Sequence, residues 1–273
     1  MTISKTFTLV ALGSLVAFGS CKKDTKDPEP ETPVTPGPSY SVPTTYNFSN
    51  ADFKSSTQRI AMLGEITTYI RSTHTSTAAT QPTLDAQKLK DMFSNANSQF
   101  TDAALNTSGI QLEDKTSTTE IFGYELKINF SDAALASNEA AAQPMTTTAS
   151  KGVRGKIISP SRAVLVDAQG FEYKEYAEKG IMGATFYYQA MRLLDMIDTY
   201  DNSTVSNGGT AQEKAWDEAF GYFGVPVDFP GNKTGLKNWG SYANSVDAAI
   251  SCNQTIMDAF LKGRAAISNK DNA

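Results

Sequence analysis

Few residues in this chain are equipped for chemistry. His74 is the only histidine, and it sits in Thr73-His74-Thr75-Ser76, inside a Ser/Thr-rich run. A zinc site, a Ser-His-Asp triad or a His-bearing di-iron site needs imidazoles held in a converging geometry, which one such residue does not supply. His74 is therefore read as a solvated loop residue, against the alternative of a lone metal or haem ligand. The cysteines are Cys21 and Cys252. With Cys21 assigned to lipid below, no intramolecular disulfide or thiolate cluster can form. Cys252 lies in an apolar helical stretch and is expected to be a small buried hydrophobe.

Carboxylates and rings offer more. Glu172, Glu175 and Glu178 recur every third residue among Lys174 and Lys179, as a solvated helix start would. Asp198, Asp201 and Asp217 are the candidate oxygen ligands for Ca²⁺ or iron. The Asp201 loop departs from an EF-hand because Val205 stands where a ligand is required. Gly208-Gly209 is followed by Thr210-Ala211-Gln212 and lacks the lysine of a phosphate loop. The richest local feature is aromatic, running from Trp216 to Tyr242. Most of it should be core. Trp216, Trp239 and Tyr242 are the candidate ligand contacts, with Trp239 and Tyr242 flanking a Pro/Gly-rich loop as a platform for a sugar or peptide.

Cys21 points to covalent lipid. Lys5 precedes an uncharged apolar run from Phe7 to Phe18, and Phe18-Gly19-Ser20 leads into the cysteine. Twelve residues rise only about 18 Å as a helix, short of a bilayer core of about 30 Å. The expected reading is a lipoprotein signal peptide over residues 1–20, cut before Cys21. From residue 22 to 43 the chain carries six of its eleven prolines and many charges. Residues 21–43 are therefore expected to be a lipidated cysteine and an unfolded tether, and residues 44–273 a folded domain. The net charge of −5, without a basic patch, argues against nucleic acid.

The elements that must position these residues are helical. Asn50 to Arg71 predicts a helix capped by Ser49, with Phe53, Ile60, Leu63, Ile66 and Ile70 on one stripe. Leu84 to Phe93 predicts a shorter one, and Phe100 to Leu105 one further turn. Residues 121–130 alternate partly like a strand, and Ser131 to Ala142 is an Ala-rich helix. Ser150 to Gly170, with Gly152, Gly155 and Pro160, reads as loop. Phe171 to Tyr200 is apolar on almost every face and predicts a buried central helix, with Gly180 and Gly183 admitting a close neighbour. Thr210 and Glu213 form a capping box for a helix to Phe223, followed by a loop reaching Gly240. Val246 to Leu261 predicts one last helix. The fold class is an all-α multi-helix bundle.

Lys214-Ala215-Trp216-Asp217-Glu218-Ala219-Phe220-Gly221-Tyr222-Phe223-Gly224-Val225-Pro226 resembles the signature of a Bacteroidetes lipoprotein family, the domain of unknown function 4856 family. Gly180 to Tyr188, Tyr46-Asn47-Phe48 and Cys21-Lys22-Lys23-Asp24 fit the same family, so the resemblance covers about residues 44–268. It implies a helical, distantly imelysin-like fold, and imelysin-like lipoproteins are linked to iron or haem uptake and to peptidase activity. Their histidine, followed three residues later by glutamate, is not matched: Thr77 stands three residues after His74. The resemblance supplies no catalytic residues. It also implies a fold that continues past the helix at residues 260–267, so part of the C-terminal fold is expected to be missing.

These features admit three functional readings. The first is a non-enzymatic lipoprotein of the outer membrane that binds a ligand or partner in nutrient or iron/haem acquisition, beside an outer-membrane transporter. The second is an imelysin-like metal-dependent protein or peptidase. The third is a glycan-binding accessory lipoprotein.

Overall fold

The computed structural model describes residues 39–72, 84–118, 147–158 and 163–271. Cys21, His74, the strand-like residues 121–130 and the Ala-rich helix at 131–142 lie outside them. The chain divides into two units, Met1–Ser39 and Tyr40–Ala273. The second unit is mostly helical, as expected of an all-α bundle.

Helix α1 spans Lys54–Arg71 and buries Ile60, Leu63, Ile66 and Ile70 on the predicted stripe. It starts four residues later than expected, with Phe53 at the cap position and no side-chain cap. Asp52 is instead drawn into a tertiary contact: its N–H donates to Asp217 Oδ2 at 3.1 Å. Helix α2 is Ala86–Ser94, capped by Asp85, which accepts from the N–H groups of Gln87 and Lys88. Helix α3 is the single turn Ala103–Asn106.

The region expected to be loop carries a hairpin. Strand β1 (Gly155–Ile158) pairs antiparallel with β2 (Ala163–Val166), Gly155 facing Val166 and Ile158 facing Ala163. The glycines flank the hairpin in left-handed conformations, Gly152 at φ +76° and Gly170 at φ +89°. They mark turns around two short β-branched runs.

The long apolar stretch forms a rod in three pieces: α4 (Tyr173–Ile181), a π-helical segment (Met182–Tyr187) and α5 (Tyr188–Asp195). A 3-10 turn over Ile197–Thr199 comes next. The rod is not the centre of the bundle. That place belongs to α6 (Ala211–Phe223), which packs against α1, α5 and the last two helices. The rod's apolar residues are divided between one face that meets α1 and α6 and Tyr187, Met191 and Leu194, which line an open groove, while its Lys and Glu side chains pair with one another. Gly183 is not a close-approach site either, since a Cβ there would meet nothing within 4 Å. Close approach occurs at Gly221 of α6, where a Cβ would run into Ser56 Oγ first and lie 2.8 Å from Phe53 Cβ and 3.0 Å from the Phe53 carbonyl oxygen.

Helix α6 opens with the predicted capping box between Thr210 and Glu213 and stops at Gly224, φ +76°. The expected final helix is two. Helix α7 (Asn238–Ile250) and α8 (Cys252–Ser268) are separated at Ser251, φ +51°. The break is held by Asp247, whose carboxylate accepts from the Asn253 N–H at 2.8 Å. No glycine or proline announces it.

A buried ion pair joins these elements. Arg264 of α8 and Asp217 of α6 are both fully buried, with Nε donating to Oδ1 at 2.8 Å. Arg264 also donates to Glu213 at 2.9 Å, Asn50 at 2.8 Å and Ser268. The Tyr46 hydroxyl donates to Asp217 at 2.8 Å while its ring stacks on Phe220 at 3.7 Å. Burial, and then the Asp217 charge, drive the Tyr46 pKa far up, so this phenol stays a donor. Burial also pulls the Glu213 carboxyl up. The Thr210 N–H, the Arg264 charge, Asn50 and Ser268 outweigh it and bring its pKa down to about 2.

These contacts set three expected outcomes for stability. Arg264→Met leaves two buried carboxylates without their cation and should cost on the order of 3–5 kcal/mol, read by denaturant unfolding. Because the folded pKa of Glu213 lies below an unfolded value of about 4.3, its stabilisation is complete above that pH and lost as pH falls towards 2. Glu213→Gln should flatten that part of the acid-unfolding curve. Gly221→Ala should destabilise by about 1–3 kcal/mol through forced displacement of Ser56 and Phe53, whereas Gly183→Ala should be neutral or stabilising by up to about 1 kcal/mol. Equal melting temperatures for the two glycine variants would refute the packing assignment.

Candidate functional site

Two cavities lie end to end along one side of the bundle. The first is an apolar groove of about 450 Å³ between α5 and α7, floored by α6 and α8. Tyr187, Met191 and Leu194 of the rod form one wall, and Trp239, Tyr242 and Val246 the other. Ile250 lies at the rim and is 65 % exposed, and Tyr187 is 52 % exposed. Helix α7 therefore carries a run of apolar side chains that the fold leaves open.

The rings of the groove are held in place individually. Trp239 Nε1 donates to the Met182 carbonyl at 3.1 Å, anchoring α7 to the π segment. Tyr187 lies 5.4 Å from Trp239 at 52°, and Tyr242 lies 6.1 Å from it at 49°. Trp239 and Tyr242 are thus brought together as expected, but as tilted facets of a concave wall. Rings inclined at this angle form a folded wall and not one flat platform. Lys179 sits 5.4 Å over the Tyr242 ring, and the Glu178 carboxylate accepts from its ammonium at 2.8 Å. Cys252 is half-buried at the groove edge, not core: its thiol donates to the Ala243 carbonyl at 3.4 Å. The α7 helix begins at Asn238, so Trp239 projects from a helix and not from the expected loop.

The second cavity, about 610 Å³, lies at the other end of α5 and contains Trp216. The Trp216 indole N–H donates to the Phe260 carbonyl at 3.0 Å, and its ring meets Phe260 edge-on at 6.1 Å. This pair forms the divide, since Phe260 lines the groove on its other side. Trp216 is therefore separated from Trp239 and Tyr242, with which the sequence groups it.

The three candidate metal ligands are dispersed. Asp198 lines the second cavity. Asp201 accepts from Ser203 and Thr204, and these bonds hold its carboxyl below the ordinary range. Asp217 is enclosed by Arg264, Tyr46 and the Asp52 N–H. Among the described residues no group of three or more His, Cys, Asp or Glu side chains converges on a metal position. Sequence reasoning missed Tyr187, Met191, Val246 and Ile250. The first two belong to the apolar run of the rod and the last two to the stretch predicted as the final helix, and apolar residues at helical spacing read in a sequence as burial.

Comparison with known proteins adds a family. Neither curated proteins nor solved structures show a match to this chain. The family described as "Domain of unknown function (DUF4856)" matches residues 43–273, which takes in the whole helical bundle and both cavities. The chain belongs to the DUF4856 family.

Proposed function

We propose that this protein is an exported, lipid-anchored binding protein that captures a small apolar ligand in the groove between α5 and α7. The observation that carries this reading is the groove itself. Its volume of about 450 Å³ falls in the range of small-molecule sites, roughly 300–1,000 Å³. Its wall is almost wholly carbon and aromatic ring. Exposed apolar surface costs solubility unless something occupies it. Concavity favours a compact molecule over a flat protein face, and tilted rings favour an apolar body over a sugar. The reading is non-enzymatic because the groove offers shape and apolar contact, with Tyr hydroxyls and the bonded Cys252 thiol as its polar side-chain groups.

Anchoring rests on the segment around Cys21. Acyl chains contribute about 0.8 kcal/mol per buried methylene, and two or more hold a protein stably on a bilayer. The Pro-rich residues 22–43 would then set the bundle off the membrane surface at about 3.1 Å per extended residue. A binding protein in nutrient acquisition needs both features: a captured ligand and proximity to a transporter.

Two measurements test this. N-phenyl-1-naphthylamine, a neutral apolar dye, should bind the purified protein saturably with a Kd of about 1–10 µM, on the order of 7–8 kcal/mol. Val246→Asp and Ile250→Asp, both at exposed positions, should weaken it at least tenfold without lowering the melting temperature. Dye binding indifferent to both changes would refute the groove as the site. Separately, mass spectrometry of protein from bacterial membranes should find an acylated N-terminus at Cys21, absent in Cys21→Ala. An unprocessed or unacylated wild-type chain would sink the anchor.

A further inference from the structure

We propose that the β1–β2 hairpin is a docking surface for an anionic lipid bilayer. This goes beyond the apolar groove and does not depend on it. Residues 147–158 carry Lys151, Arg154 and Lys156 and no Asp or Glu, in a chain of net charge −5. The chain therefore does hold one basic patch, which its overall charge conceals. The same stretch leaves aliphatic side chains in water: Val153 is 47 % exposed, Ile157 48 % and Ile158 72 %. Ile158 is the most exposed large apolar side chain among the described residues. Leu165 and Val166 of β2, by contrast, are buried and root the hairpin.

The backbone of β1 is hydrogen-bonded on both sides. The Lys156 N–H donates to the Thr147 carbonyl at 2.8 Å and the Ala149 N–H to the Lys156 carbonyl at 3.0 Å, while β2 pairs along the other edge. What β1 offers a partner is therefore side chains and not an unpaired strand edge. Isoleucines beside lysines suit a bilayer: the aliphatic groups enter the acyl boundary, the lysine stems follow, and the ammonium groups stay with the headgroup phosphates. Other partners use only half of the surface. Nucleic acid is gripped mainly through its phosphates and would leave the isoleucines in water. The buried core of a protein interface is poor in lysine, and a second copy would set the same lysines against one another. Each lysine near an anionic surface raises affinity about fivefold, an attraction that salt weakens.

The test uses residues 22–273, which keep the whole unit Tyr40–Ala273 and omit the segment read as signal and anchor, so docking is separable from anchoring. Vesicles of phosphatidylglycerol and phosphatidylcholine in equal parts should co-sediment the protein, and phosphatidylcholine alone should bind it at least tenfold more weakly. Lys151→Gln with Lys156→Gln should weaken binding to the anionic vesicles at least tenfold. Lys233→Gln with Lys262→Gln removes the same charge from exposed positions elsewhere and should change binding less than twofold. Ile157→Thr with Ile158→Thr keeps both the charge and the β-branching that suits a strand. It should weaken binding at least tenfold, with the melting temperature and dye binding in the groove unchanged. Equal effects of the two lysine pairs would reduce the attraction to net charge and overturn the surface. Vesicle binding indifferent to the threonines would overturn the docking of the isoleucines. Duplex DNA bound in place of vesicles, or a dimer dispersed by the threonines without vesicle binding, would overturn the lipid partner.

Discussion

The bundle depends on a charge that it cannot leave unpaired. Arg264 is fully buried and reaches α6 through Asp217 and Glu213 and the N-terminal segment through Asn50. Its side chain also lies 5.1 Å over the Phe48 ring. Taking a guanidinium out of water is costly unless its donors find acceptors in good geometry. Only one mutual arrangement of residues 46–52, α6 and α8 supplies those acceptors. The pair therefore specifies register between elements that apolar packing alone would allow to slide. A second buried arginine, Arg59, does the same for α1, reaching the Gln111 carbonyl at 2.7 Å and Asp114 and Glu218 as ion partners.

Both cavities inherit their walls from that arrangement. Helix α6 is gripped on one side by α1 and the N-terminal segment, so its other side faces the rod and α8. Residues 212 and 216 of α6 and 263 and 267 of α8 then line the polar cavity, while 219, 222 and 223 with 256 and 260 line the apolar one. The change of character along one side of the bundle is a change in side-chain type along helices that run past both.

Much of the helical framework was legible. The stripe of α1, the short α2 near Leu84 to Phe93 and the Thr210–Glu213 capping box rest on contacts within one or two turns, and such contacts are written in consecutive residues. The hairpin at 155–166 was not legible. Its glycines signalled turns, and the runs between them were too short to outweigh that signal. The break at Ser251 depends on Asp247 reaching across the bend, an event that uses a common residue with no special local preference.

By itself the sequence determined an all-α bundle, the family through the Trp216 to Pro226 run, and the scarcity of histidine and cysteine. These are properties of composition and near-neighbour spacing. Tertiary structure alone decided that Asp217 is a partner of Arg264, that Trp216 stands apart from Trp239 and Tyr242, and that the rod's second face is open. Apolarity in a sequence says that a side chain avoids water. Whether another part of the chain or a ligand supplies the shelter is decided only when all the helices have taken their places.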